Sequence, residues 1–363
     1  MNTDLILSIP DTRPYSDVPN KNELLRYADD ILNNPSSAQG KLSHGQLLGE
    51  IVQMLQQKHM LSLSVALAMS ANPAQYRILW QYLCTALSPQ TENEVQWLAF
   101  PIIAVIGATQ NGNLNQEIPS KEIQQLLIEY NDWQEIKQAQ WLPRLIGSKE
   151  LSEITAEEWF DSKQSIESAQ EFAQKFQFTP ISYNKGQQVE ILYALCFGNS
   201  QLKAIAEKNL GKASLPLMQV WQKTLTQQGL TIFANPMGAN LPISSLQKGS
   251  AQKKRMALDI FTANAVRSIR LQFPRVGVVI AAEEGGNLLF VFHPVEENHL
   301  QPLVFRHTLT YDEEIPLIVQ DFLDLIIQCK IEHVHILNEI ISENKIPTYQ
   351  QAIKMTGGNP LFT

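Results

Sequence analysis

Apolar residues in the first third of the chain recur at helical spacing. Leu24, Leu25, Ala28, Ile31 and Leu32 follow one face, and Leu47, Leu48, Ile51, Val52 and Leu55 follow another. A third face, Tyr76, Ile78, Leu79, Tyr82, Leu83 and Leu87, starts after Asn72-Pro73 and stops at Ser88-Pro89. Ile123, Leu126, Leu127 and Tyr130 mark one more. Residues 95–106 are apolar on nearly every side and read as a helix buried in the middle of a bundle. Thr155 and Glu158 have capping-box spacing, which predicts a helix running to about Phe176. These segments have unequal lengths and no shared signature, which favours a compact helical domain over a solenoid.

The pattern changes after Phe176. Residues 177–182 and 189–197 read as strands, 201–210 and 215–228 as helices, and 230–234 as a short strand followed by a loop to Pro242. A long amphipathic helix is expected over 251–271, with Leu258, Phe261, Ala265, Val266 and Ile269 on its apolar side. Residues 276–282 and 288–292 form a hairpin across Gly285-Gly286, which can supply the positive φ angles of a tight turn. Both runs are apolar on both faces, so the hairpin belongs in a covered sheet. A strand over 303–309, a helix over 315–329, a strand over 333–337 and a last helix near Pro347, stopped by Gly357-Gly358, complete the chain. The expected fold is therefore mixed, α+β with α/β character. An irregular segment, 1–20, precedes a helical domain, 21–176. A C-terminal layered α/β domain, 177–363, follows with a mostly covered mixed sheet. The boundary at 176 is placed to within about ten residues.

Composition narrows the class. An apolar fraction of 44% with 18% charged residues suits a folded chain rather than a disordered one. The net charge of −8 disfavours broad nucleic-acid binding. Cys84, Cys196 and Cys329 are widely spaced and odd in number, which argues against disulfides and zinc and for free thiols in the cytoplasm. No apolar run reaches the roughly 20 residues of a membrane span, and the run at 5–9 is too short for a signal-peptide core.

Several features could carry chemistry. Lys248, Lys253, Lys254, Arg255, Arg267, Arg270 and Arg275 stand against Asp259 alone within 245–275, a net of +6. Residues 281–314 hold seven acids against Arg306 alone, a net of −6. The functional reading is an anion- or partner-binding face centred on Lys253, Lys254, Arg267 and Arg270; the simpler one, which carries more weight, is a solvated helix near acidic loops of its own fold. Histidines cluster late in the chain: His293, His299, His307, His333 and His335. His333 and His335 share one strand face and could hold a metal, but alternation alone also explains them, with Val334 and Ile336 inward and the histidines on a wetter face. Asn199 and Ser200 sit between a strand and a helix, where a ligand could bind or a cap could form. Asn235 and Asn240 lie in a loop able to line a site. Trp133, Trp141 and Trp159 are candidates for exposed contacts or for interface packing. Glycine-rich phosphate loops and a GxSxG elbow are absent.

The reading that follows is a cytoplasmic protein that acts by binding another protein or itself, with no catalytic machinery evident and no cofactor expected. The alternative is an enzyme or small-ligand protein using strand ends near Asn199, Ser200, Asn235 and Asn240, and its discriminator is a pocket with convergent polar groups. The third is nucleic-acid binding by the helix 251–271, disfavoured by its lack of interleaved aromatics. No membrane partner is expected.

Overall fold

The computed structural model describes residues 21–296, 300–310, 313–343 and 345–357. Residues 1–20, expected to be irregular, and Glu297, His299, Asp312 and Gly358 lie outside the described residues. The chain divides into two compact units, one built from residues 21–70 and 74–253, the other mainly from Lys254 onward.

The first unit opens with four helices, α1 (Lys21–Asn33), α2 (Ala38–Gln56), α3 (Leu61–Met69) and α4 (Pro73–Leu87). The long strand β1 (Val95–Ala108) comes next, then β2 (Gly112–Asn113), α5 (Ser120–Asn131), β3 (Gln140–Trp141), β4 (Ile146–Gly147) and α6 (Ser148–Ser152). Helices α7 (Ala156–Ser162) and α8 (Ile166–Ala173) lead to β5 (Ser182–Tyr183), β6 (Gly186–Asn199), α9 (Ser214–Leu225) and β7 (Leu230–Pro236). The sheet runs β3-β6-β1-β7, antiparallel, with β4 also on β6.

Two expectations are corrected here. Residues 95–106 form a central strand, not a bundle helix. An apolar run without a polar face fits either element when both faces are buried. Val95, Ile102, Ile103, Val105 and Ile106, with Trp97 and Phe100, supply the β-branched and aromatic content that favours the strand. Pro101 is tolerated because its carbonyl accepts from the Met237 N–H just past the end of β7, so the missing amide falls where the ladder has stopped. The expected boundary at 176 is displaced as well, because β1 pairs along its whole length with β6, which lies beyond it.

Smaller differences follow the same logic. The helix expected over 155–176 breaks into α7 and α8, although Thr155 and Glu158 form the expected capping box. Residues 200–205 make a 3-10 helix rather than an α-helix, and the strand expected at 177–182 shrinks to β5. One sheet face packs Leu98, Phe100, Ile102, Leu192 and Ala194 against α5 and α9. On the other, Trp97 meets Phe197 of β6 at 4.6 Å and Trp159 of α7 at 5.3 Å. Trp133 and Trp159 are therefore core residues and Trp141 stacks on Phe100, so none of the three is a free contact residue.

Helix α10 (Pro242–Arg270) starts nine residues before the expected 251 and enters the second unit at Lys254. Strands β8 (Val276–Glu283), β9 (Asn287–Pro294) and β10 (Leu303–Thr308), helix α11 (Ile315–Gln328), β11 (His333–Ile341) and α12 (Tyr349–Met355) follow. The hairpin β8–β9 forms as its pattern predicts, with Gly285 and Gly286 at φ +88° and +80°. The sheet order is β10-β9-β8-β11, with β11 parallel to β8 after the α11 crossover. Both faces are covered. Val278, Ile280, Phe290 and Phe292 pack with residues of α10 and α11, while Val279, Ala281, Leu289 and Val291 pack with α12. No helix among the described residues is long and apolar enough to cross a membrane.

Candidate functional site

The loop after β7 lines a polar cleft in the first unit. Its floor is set by backbone pairing: Ala99 and Asn240 exchange both amide hydrogen bonds, at 2.8 and 3.0 Å. The Glu207 N–H donates to the Ala239 carbonyl at 2.7 Å, which ties residues 207–214 to the same loop. Glu207 takes a left-handed conformation, φ +65°, unusual for a residue other than glycine or asparagine. Gly238 is required by close approach, since a Cβ there would lie 2.0 Å from the Lys208 carbonyl oxygen. Gly238→Ala is accordingly expected to cost about 1–3 kcal/mol and to splay the two loops; thermal denaturation that matches the parent protein would contradict this packing.

The open cleft has a volume of about 510 Å³. Asn235, Asn240, Lys208, Asn209, Ser214 and Lys248 bring amides, a hydroxyl and two cations to it. The Lys248 ammonium donates to Asn240 Oδ1 at 2.6 Å and is ion-paired with Glu207. Asn240 is 5% exposed, and its own amide donates to the Gly238 carbonyl, so it holds Lys248 in a fixed place. Glu207 and Lys248 also border a second cavity of about 410 Å³ that reaches Trp80, Cys84, Ser244 and Gln247. Cys84 contacts Ser244 Oγ at 3.2 Å, and burial pushes its thiol up to about 11, so it is protonated at neutral pH and not an activated nucleophile.

The other sequence candidates are dispersed. Asn199 caps the 3-10 helix by accepting from the Gln201 N–H, and the Ser200 hydroxyl meets the Glu92 carbonyl at 3.5 Å; neither lines the cleft. Lys253 pairs with Glu190, Lys254 with Glu313, Arg255 with Asp321 and Arg275 with Glu296. Arg270 donates to the Cys329 and Lys330 carbonyls at the end of α11, and Arg267 is exposed. Of the acids of 281–314, Glu313 meets Lys254 and Glu296 meets Arg275, whereas Glu190 and Asp321, which meet Lys253 and Arg255, lie outside that stretch.

The histidines also separate. His335 is 2% exposed beneath α12, so the face expected to be wetter is covered. His307 lies on the opposite side and donates to Glu313. Burial raises the Glu313 carboxyl, but donors from His307 and Thr310 outweigh it and bring it down to about 2. No group of three metal-ligating side chains occurs among the described residues.

Sequence reasoning missed Glu207 and Lys208, which carry no motif. It also missed a shallow acidic pocket lined by Glu150, Glu153, Glu158 and Phe172. Two of those carboxylates serve the fold: Glu150 accepts from the Phe178 N–H and Glu158 closes the α7 capping box. No family model matches this chain, and neither curated proteins nor solved structures yield a match.

Proposed function

We propose that the protein binds a small anionic ligand, bearing a carboxylate or phosphate beside hydroxyl or amide groups, in the cleft between residues 207–214 and 235–248. The observation that carries this reading is the state of Lys248. Its ion pair with Glu207 is about half exposed on both sides, 45% and 46%, and such a pair contributes only about 0–1 kcal/mol. An incoming anion therefore displaces Glu207 at little cost, while buried Asn240 keeps the ammonium aimed into the cavity. The surrounding amides of Asn209 and Asn235 supply donors and acceptors for the rest of the ligand.

The basic face of α10 as a protein-binding surface draws less support, because Lys253 and Lys254 are already paired with Glu190 and Glu313. Charge reversal at those positions tests ion pairs of the fold before it tests a partner.

Native and denaturing mass spectrometry of the full chain, with thermal-shift measurements against inorganic phosphate, citrate and nucleoside monophosphates, tests the cleft. The expected result is a small noncovalent mass or a ligand-induced shift that Lys248→Met abolishes. A bare chain with no shift from any of these anions would reject the proposal, as would a response that survives Lys248→Met.

A further inference from the structure

Two buried histidines in the second unit hold the two ends of its last helix. His293 of β9 is 1% exposed and His335 of β11 is 2% exposed. Both flank the ring of Tyr349, the first residue of α12, with ring centroids 6.2 and 5.4 Å away. That ring seats on the bare backbone of Gly277, where a Cβ would lie 2.5 Å from it. His293 faces the Pro347 carbonyl, immediately before the helix. Its Nε2 is buried without a hydrogen-bond partner among the described residues, so Nδ1 is the nitrogen turned to that carbonyl. His335 Nδ1 meets Thr356 Oγ1, immediately after the helix, at 2.8 Å. The Thr356 hydroxyl gives its own proton to the Ala352 carbonyl, so His335 is the donor.

We propose that α12 is an acid-released latch over this sheet, closed while His293 and His335 are neutral and opened when they take up protons. A proton on His293 Nε2 would place a charge where the described residues provide no acceptor. On the α12 side of the sheet, β8 presents Gly277, Val279, Ala281 and Glu283, the last paired with Arg306 of β10; β11 presents His333 and His335, and α12 presents Tyr349, with Lys354 exposed. The nearby Arg275 is occupied by Glu296 at 2.7 Å. Neither histidine has a carboxylate partner among the described residues.

Burial holds His293 at about 4, below its ordinary 6.5, and lowers His335, with the neighbouring His333 acting in the same direction. The sign follows. The folded form binds fewer protons than the released form between those two values, so closure is fully stabilised above 6.5 and weakens as pH falls towards 4. Helix α12 has seven residues and buries Tyr349 and Ala352, whereas the opposite face of the sheet is held by α10 and α11. Release therefore uncovers Val279, Ala281, Leu289, Val291 and Leu337 without dissolving the sheet.

Hydrogen exchange of the full chain at pH 7.5 and 5.5, corrected for intrinsic rates, tests the latch. Protection in α12 is expected to fall about tenfold at pH 5.5 through His293 alone, while β8 and β9 stay protected. The variant His293→Gln/His335→Gln is expected to lose this pH dependence; His293→Gln alone serves if the double variant does not fold. Three results would overturn the proposal: unchanged α12 protection, loss of protection in α12 and β8–β9 together, or the same pH dependence in the variants.

Discussion

Lys163→Met is expected to destabilise the first unit by about 3–5 kcal/mol, the cost of removing one partner from a buried ion pair. Lys163 is 2% exposed and donates to Glu94 at 2.9 Å and to the Ser88 carbonyl at 3.0 Å, with its ammonium over the Phe160 ring. Its own carbonyl accepts from the Val95 N–H at 2.7 Å, at the start of the central strand. Burial raises the Glu94 carboxyl, but hydrogen bonds from Lys163 and the Gln90 N–H outweigh it and hold the group below the usual carboxylate range. Methionine keeps the chain's volume and leaves that carboxylate with its main partner gone. Urea unfolding followed by tryptophan fluorescence reads the loss, and Lys163→Met/Glu94→Gln should recover much of it. A single-variant loss under about 1 kcal/mol would mean the pair is too well solvated to matter.

Phe322→Ala should cost the second unit a similar 3–5 kcal/mol. The Phe322 ring is 2% exposed and lies 4.3 Å from Phe290 and 6.1 Å from Phe292, where α11 meets the hairpin. Truncation leaves a cavity between two rigid elements that cannot close on it. All six tryptophans lie between Trp80 and Trp221, so their fluorescence reports the first unit. The loss is instead read by hydrogen exchange in β8 and β9, which should quicken roughly a hundredfold or more. Exchange within threefold of the parent protein would show that the cavity is filled by repacking. This substitution also separates latch from core, since it weakens the face opposite α12.

Much of the second unit was legible in order. Gly285-Gly286 between two apolar runs specifies the hairpin locally, and the helix at 315–328 announces the crossover that makes β11 parallel. The first unit was less so. Residues 95–108 carry no period at all, because a central strand buried on both faces erases the alternation that identifies a strand. Reading that run as a helix moved the expected domain boundary too, since its partner β6 lies some ninety residues along the chain. The candidate site was half visible. The loop holding Asn235 and Asn240 stood out by its breakers, but Asn199 and Ser200 turned out to be a cap. Glu207 and Lys208 had no signal, because their role comes from contacts with Gly238, Ala239 and Lys248, 30 or more positions away.

By itself, then, the sequence determined the elements whose information is local: capping at Thr155, the glycine turn and the amphipathic helices. Tertiary structure alone decided which strand is central, which histidine face is dry, and which lysine borders the cleft. Those properties depend on what lies across the fold. His333 and His335 alternate on β11 whether or not a helix covers them, and only the placement of α12 buries one and fixes its proton affinity. Lys253 and Lys248 are alike in sequence. The first meets Glu190 on a strand, while the second is steered by a buried asparagine into a cavity that exists only once two distant loops have packed.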